Sequence, residues 1–321
     1  MNPQEDPRVV VMRQEVKMMD PQGLYETLVG RVGADRVLLA TTAAAERELV
    51  PQVAMAVGHS LPETLLEDPG ALEVFACSFS GVGHLDLERY RSAGVAVTNA
   101  AGVHAVNITE HVIGAMLYFS RGFDTAVRQQ RAARWAPFMP GELAGTEAVV
   151  VGMGAIGTRV CEMLGRFDVA VTGIRHSAEK GGPAATVVGY DARAAIDAAL
   201  ARASFVIIAA PLTAQTRGFI DGQRLGGMRS DAVLINVGRG PIVETDALVE
   251  ALRSATIGGA ALDVTDPEPL PASHPLWGLE NVLITPHTAG TTPHYWERLA
   301  DIVETNLRRL KTGSALQNRV A

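Results

Sequence analysis

Residues 149–157 read VVVGMGAIG, an apolar β-branched run that ends in Gly152, Gly154 and Gly157, and the helical pattern TRVCEMLGRF follows at 158–167. The spacing Gly-x-Gly-x-x-Gly is weak by itself. A strand before it and a helix after it, with Val160, Leu164 and Phe167 on one face, make it a strong signal. Each glycine then has a task. Gly152 allows the tight turn, Gly154 lets a pyrophosphate approach the backbone, and Gly157 lets the helix pack close to the strand. Ala155 and Ile156 open that helix, so their amides face the anion. A glycine turn with no ligand is the bland alternative, and the context argues against it.

The same alternation runs outward in both directions. Downstream, VAVTGI (169–174), FVIIAA (205–210), AVLINVG (232–238), GGAALDV (258–264) and VLIT (282–285) are strand candidates. The helical patterns ARAAIDAALARA (192–203) and DALVEALRSA (246–255) fall among them. Upstream, RVVVM (8–12), RVLLA (36–40), VAMAV (53–57), VFACSF (74–79) and VAVTN (95–99) form a second series, with PETLLED (62–68) as a short helix. Strands separated by helices predict doubly wound parallel sheets in an α/β fold. From Thr292 the chain reads as one long helix, capped by Thr292, with Pro293 in its first turn and Trp296, Leu299, Ile302 and Leu307 on one face. A terminal helix of this kind packs back on the first lobe. The expected division is therefore 1–100 plus 291–321 as one discontinuous domain and 101–290 as the nucleotide-binding domain.

Bulk composition narrows the class. The 321 residues are 47% hydrophobic and 20% charged, which suits two globular domains. A formal net charge of −7 without a basic block argues against nucleic-acid binding. Cys77 and Cys161 sit in apolar surroundings and read as buried free thiols of a reducing compartment. MNPQEDPR carries acids and prolines with no apolar region behind it, so no secretory leader is expected. The longest uncharged run, 92–109, contains Asn99, His104 and Asn107, too polar for a membrane span. A cytoplasmic location is expected.

GIRHSAEK, 173–180, departs from the usual pattern. About 20 residues past such a fingerprint an Asp or Glu normally holds the adenosine ribose. Here Arg175 stands at the strand end, followed by His176 and Ser177, with Lys180 beyond. An acid there accepts from ribose hydroxyls and repels a 2′-phosphate, whereas Arg does the reverse. The expectation is NADP(H) as preferred cofactor, with NAD(H) as the alternative. Solvated loop cations are the duller reading.

Three further segments follow strands: Arg239 in INVGRGPIV, Asp263, Asp266 and Glu268 in ALDVTDPEPLP, and His287 in ITPHTAGTT. Singly, Arg239 reads as a surface cation, Glu268 as a solvated acid and His287 as a capping histidine. Together they are one Arg, one Glu and one His on the ligand side of a nucleotide-binding sheet. Reduction of a 2-oxo acid needs a cation for the carboxylate and a proton donor for the new alkoxide. Arg supplies a fixed fork of donors. An imidazole titrates near pH ~6.5, and a neighbouring carboxylate favours its charged form. Glu268 is the candidate neighbour, and Asp263 is placed to bind the nicotinamide amide. No metal ligation is expected.

Over nearly its whole length the chain resembles the D-isomer-specific 2-hydroxyacid dehydrogenases, which include glyoxylate/hydroxypyruvate reductases and phosphoglycerate dehydrogenases. The resemblance rests on SGVGHLDLERYRSAGVAVTNAAG, NITEHVIGAML, GELAGTEAVVVGMGAIG, APLTAQTRGFID, INVGRGPIVETDAL, GAALDVTDPEPLP, HPLWGLENVLITPHTAG and the tail NLRRLKTGSALQN. It implies two Rossmann-like or flavodoxin-like lobes with a cleft, substrate binding by Arg239, orientation of His287 by Glu268, and proton donation by His287. It also implies that the backbone of Ser80, Gly81, Val82 and Gly83 holds the substrate carboxylate, and that His104 touches substrate or lines a hinge. Ala210, Pro211, Thr216, Val237, Gly238, Asp263 and Gly290 would lie near the cofactor, with hinges near Ala101 and Gly290. A homodimer through the nucleotide-binding lobe is implied too. Arg175 matches the NADP-using members. No regulatory extension of the phosphoglycerate dehydrogenase kind is expected, since the sequence stops at Ala321. Two other roles in or near the family stay open: a nucleotide-sensing corepressor, and oxidation of a substrate other than a 2-hydroxy acid, such as phosphite.

Overall fold

The computed structural model describes residues 7–13 and 21–321. Residues 1–6, where the leader was not expected, lie outside the described residues. The chain divides into two compact units: the described part of Met1–Val103 with Thr292–Ala321, and His104–Thr291.

The first unit holds β1 (Val9–Val11), α1 (Pro21–Val32), β2 (Val37–Leu39), α2 (Ala43–Leu49), β3 (Met55–Gly58), α3 (Glu63–Glu67), β4 (Val74–Cys77), α4 (Leu87–Ser92) and β5 (Ala96–Thr98). Its five strands lie in the order β2-β1-β3-β4-β5, all parallel. Alternating side chains serve opposite faces. Val9, Val11, Met55 and Val57 pack with Leu24 and Leu28 of α1, while Val10, Ala56 and Phe75 pack with Leu65 and Tyr90.

The second unit holds α5 (Ala105–Ser120), α6 (Phe123–Arg131), β6 (Glu147–Val151), α7 (Ala155–Arg166), β7 (Ala170–Arg175), β8 (Thr186–Gly189), α8 (Arg193–Leu200), β9 (Phe205–Ile208), α9 (Gly222–Gly227), β10 (Val233–Asn236), α10 (Thr245–Arg253), β11 (Gly259–Leu262) and β12 (Val282–Ile284). The sheet order is β12-β11-β10-β9-β6-β7-β8, again parallel throughout. Strand order reverses between β6 and β9, the position where open α/β sheets take ligands. Val149 and Val151 pack toward α8, α9 and α10, and Ala148 and Val150 toward α5 and α7. Burial on both faces explains why these strands read as continuous apolar runs.

Two local expectations are corrected. Phe167 does not join the buried face of α7: it is the C-cap and 36% exposed, and Val160, Cys161 and Leu164 do the packing. The last helix, α11 (Tyr295–Thr312), starts three residues after Thr292. The Thr292 hydroxyl accepts from the His294 amide at 3.2 Å, a turn two residues on that competes with helix entry. The apolar face forms as expected, with Leu299, Ile302 and Leu307 buried.

Candidate active site

The end of β6 shows why glycine stands at each fingerprint position. Gly152 has φ +93°, and a Cβ there would lie 2.6 Å from the Ala210 Cα. A Cβ at Gly157 would lie 1.8 Å from the Gly152 carbonyl oxygen, so helix and strand touch through this residue. Gly154 is different: a Cβ there meets nothing within 4 Å. The protein itself leaves that space open, next to the first amides of α7, where Ala155 and Ile156 sit. That is the cradle a pyrophosphate requires.

A cavity of about 670 Å³ lies against this turn, walled by Gly152, Gly154, Arg175, Ser177, Pro211 and Thr216 among others. His176 and Lys180 also line it. The structure thus gathers the fingerprint, the cationic loop after β7 and the loop after β9 around one space of the size that takes a cofactor. Arg175 donates from Nη1 to the Gly181 carbonyl at 2.7 Å. Thr216 is buried, donates to the Pro211 carbonyl at 2.7 Å and accepts from the Thr213 amide at 2.8 Å, so it shapes the wall through its hydroxyl. Tyr190 also lines the cavity, and burial raises its phenol pKa. Ala210, Val237 and Gly238 are buried at the ends of β9 and β10. A Cβ at Gly238 would lie 2.8 Å from the Ala210 carbonyl oxygen. These residues fit a dinucleotide.

Neighbouring strands β10, β11 and β12 deliver the remaining groups to the same carboxyl edge. His287 Nδ1 lies 2.6 Å from Glu268 Oε1, both side chains being about half exposed. A carboxylate accepts only, so Nδ1 carries a hydrogen and the ring is held through that nitrogen. The backbone of His287 is left-handed, φ +52°, in a region that costs a non-glycine residue energy. Its amide donates to the carbonyls of Asp263 and Thr285, both at 3.0 Å. Asp263 is 4% exposed and holds the loop from the other side. Its carboxylate accepts from Thr285 Oγ1 at 2.6 Å, the Thr288 amide at 2.9 Å and the Ala289 amide at 3.1 Å. Asp263 therefore anchors the chain on both sides of His287.

Arg239 is exposed in the turn after β10, its Nη1 donating to the Gly238 carbonyl at 2.6 Å. A Cβ at Gly240 would lie 2.0 Å from the Thr265 carbonyl oxygen, so this turn packs directly on the loop that leads to Glu268. The Asn236 side chain, 1% exposed, accepts from the Gly238 amide at 3.0 Å and donates to the Arg239 carbonyl at 3.1 Å. Asn236 and Thr285 were missed as site-building residues. The one available signal was a polar residue closing an apolar strand, as in LIN and LIT. His104 caps α5, and a Cβ at Gly290 would stand 3.9 Å from its Nδ1, so these two are neighbours.

In the first unit, Ser80, Gly81, Val82 and Gly83 follow β4 in an irregular turn. The Ser80 hydroxyl donates to the Ala100 carbonyl at 2.9 Å, and the Asn99 amide group to the Ser80 carbonyl at 2.7 Å. A Cβ at Gly81 or Gly83 meets nothing within 4 Å, so the backbone there is open to a ligand. Among the described residues no group of three or more His, Cys, Asp or Glu side chains is placed to hold a metal ion. None of the described helices is long and apolar enough to cross a membrane.

Known proteins resemble this chain over most of its length. Residues 113–289 match the family model described as D-isomer specific 2-hydroxyacid dehydrogenase, NAD binding domain. A glyoxylate reductase of Thermofilum pendens is 35% identical over 242 residues, 74% of this chain and 71% of that protein. A glyoxylate reductase of Aeropyrum pernix is 33% identical over 265 residues, 80% of this chain and 78% of that protein. The crystal structure of a D-isomer specific 2-hydroxyacid dehydrogenase from Xanthobacter autotrophicus, in complex with NADPH and MES, superposes with a TM-score of 0.80. It is 28% identical and covers 98% of each chain.

Proposed function

Because the chain belongs to the D-isomer-specific 2-hydroxyacid dehydrogenase family, and so to the NAD(P)H-dependent oxidoreductases, we propose that it reduces a 2-oxo acid to the D-2-hydroxy acid with His287 as proton donor. The carrying observation is the 2.6 Å contact between His287 Nδ1 and Glu268 at the edge that also bears Arg239. Glu268 holds the ring in one tautomer through its contact with Nδ1. His287 gives its Nε2 proton to the developing alkoxide. Arg239 binds the substrate carboxylate through its planar fork. The open backbone of residues 80–83 offers amides of the kind that hold a carboxylate. A bound nicotinamide cofactor would supply the hydride.

NADP(H) is the assigned cofactor. Arg175, with Ser177 and Lys180 in the same cavity, supports a 2′-phosphate subsite where the ribose-binding acid is missing. The NADPH in the Xanthobacter structure is consistent with this. A second copy of the chain is the proposed partner. Phe123, Val127, Trp135, Phe138 and Met139 all expose apolar surface on the nucleotide-binding unit, Trp135 at 97% and Met139 at 94%. Two buried free thiols support a cytoplasmic location. Turnover of a panel of 2-oxo acids with NADPH and NADH, by the native protein and by His287→Ala, tests the assignment. Turnover unchanged in the variant would remove His287 from the chemistry.

A further inference from the structure

We propose that Met153 and the turn at Gly181 and Gly182 form a positioning device that holds Arg175 ready for the 2′-phosphate. This rests on the reading of Arg175 given above. Met153 stands between the first two fingerprint glycines, and its side chain is 4% exposed. A Cβ at Gly173 would lie 2.1 Å from its Sδ. Gly173 and Arg175 are two apart on β7 and so face the same way. The thioether thus occupies the space that Gly173 leaves beside Arg175. The tip of Met153 continues to the turn: a Cβ at Gly182 would lie 2.4 Å from its Cε.

That turn has a shape reserved for glycine. Gly181 has φ +57° and ψ −151°, and Gly182 has φ +154°. At Gly181 a Cβ meets nothing within 4 Å, so its backbone angle is what calls for glycine. The Gly181 amide donates to the Ala178 carbonyl at 3.0 Å, which folds the loop back toward β7. Its carbonyl then receives Arg175 Nη1 at 2.7 Å. One of five guanidinium donors is used and the others remain. No carboxylate among the described residues pairs with Arg175, so its charge is held in place without being neutralised. Fixing the side chain beforehand lowers the ordering cost when a phosphate binds. Met153 is a positioning residue that couples the pyrophosphate turn to the loop that selects the cofactor.

The test is calorimetric binding of adenosine 2′,5′-bisphosphate and of adenosine 5′-monophosphate to the full chain, with thermal melting as a check on folding. The native protein prefers the bisphosphate, and Arg175→Ala removes that preference. Met153→Ala and Gly182→Ala reduce the preference about tenfold while monophosphate affinity stays within about twofold. Met153→Leu, which refills the space, retains it. If Arg175→Ala abolishes the preference but Met153→Ala and Gly182→Ala leave it intact, or weaken both ligands equally, the positioning role is wrong. If Arg175→Ala itself leaves the preference unchanged, or the native protein shows none, the reading of Arg175 fails and the device fails with it. Should Gly182→Ala not fold, the Met153→Ala and Met153→Leu pair decides.

Discussion

Replacing Asp263 by Ala separates two roles for one carboxylate. If it served mainly as a partner of the nicotinamide amide, its loss would fall on cofactor affinity. The structure instead gives it three donors from residues 285, 288 and 289, which shape the loop carrying His287. Asp263→Ala leaves the amides of Thr288 and Ala289 and the Thr285 hydroxyl without that acceptor. A donor losing a buried charged acceptor costs about 1–3 kcal/mol. Local relaxation recovers part of this, so a net loss of about 3 kcal/mol is expected. For a unit of this size that lowers Tm by roughly 6–12 °C. His287 is also released from its left-handed backbone, a conformation that costs about 1–3 kcal/mol and persists only while the surroundings impose it. A misplacement of about 1 Å costs about 100-fold in rate. The predicted result is a kcat at least about 100-fold lower, a lower Tm, and cofactor affinity changed less than kcat. Asp263→Asn keeps one acceptor oxygen and loses less on each count. Asp263→Ala with native kcat and Tm and only weakened cofactor binding would refute the positioning role.

Gly154→Ala should fold with native Tm yet bind both cofactors weakly, because its Cβ enters open space at the pyrophosphate cradle; Gly157→Ala should instead lower Tm, its Cβ lying 1.8 Å from a carbonyl oxygen. Melting curves with cofactor titrations check the pair. Burial pushes the Cys161 thiol from 9.0 up to about 12. The unfolded chain then releases this proton first as pH rises, so stability is intact below about pH 9 and falls between 9 and 12. By pH 11 this one thiol costs about 3 kcal/mol, and Cys161→Ala should flatten the alkaline side of a Tm-against-pH curve. In the proposed dimer this patch is the interface, so Trp135→Asp should lower the mass seen by light scattering to that of a monomer, whereas an unchanged mass would remove this patch as the interface.

The fold was legible where local pattern suffices. Both strand series were readable as apolar runs because their strands are buried on two faces. The fingerprint glycines were readable because their chemistry is local. What escaped depends on register between distant segments. Asp263 meets the Thr288 and Ala289 amides only because β11 and β12 lie side by side. Asn236 holds the Arg239 turn through hydrogen bonds that no spacing rule encodes. The start of α11 was misplaced because the Thr292 hydroxyl closes a short turn with His294, and serine-like side chains favour both outcomes. Nothing in the sequence singles out Gly181 and Gly182, since a carbonyl's direction cannot be read from sequence. The cationic loop itself was legible, and the structure adds that its members share one cavity with the fingerprint.

The central claim, that the His287–Glu268 pair protonates the product of 2-oxo acid reduction, is tested most directly by steady-state reduction of glyoxylate and hydroxypyruvate with NADPH, native protein beside His287→Ala. The account predicts clear turnover by the native protein and a loss of about 100-fold or more in the variant. Equal turnover by the two proteins, or none by the native protein on any 2-oxo acid, would contradict it.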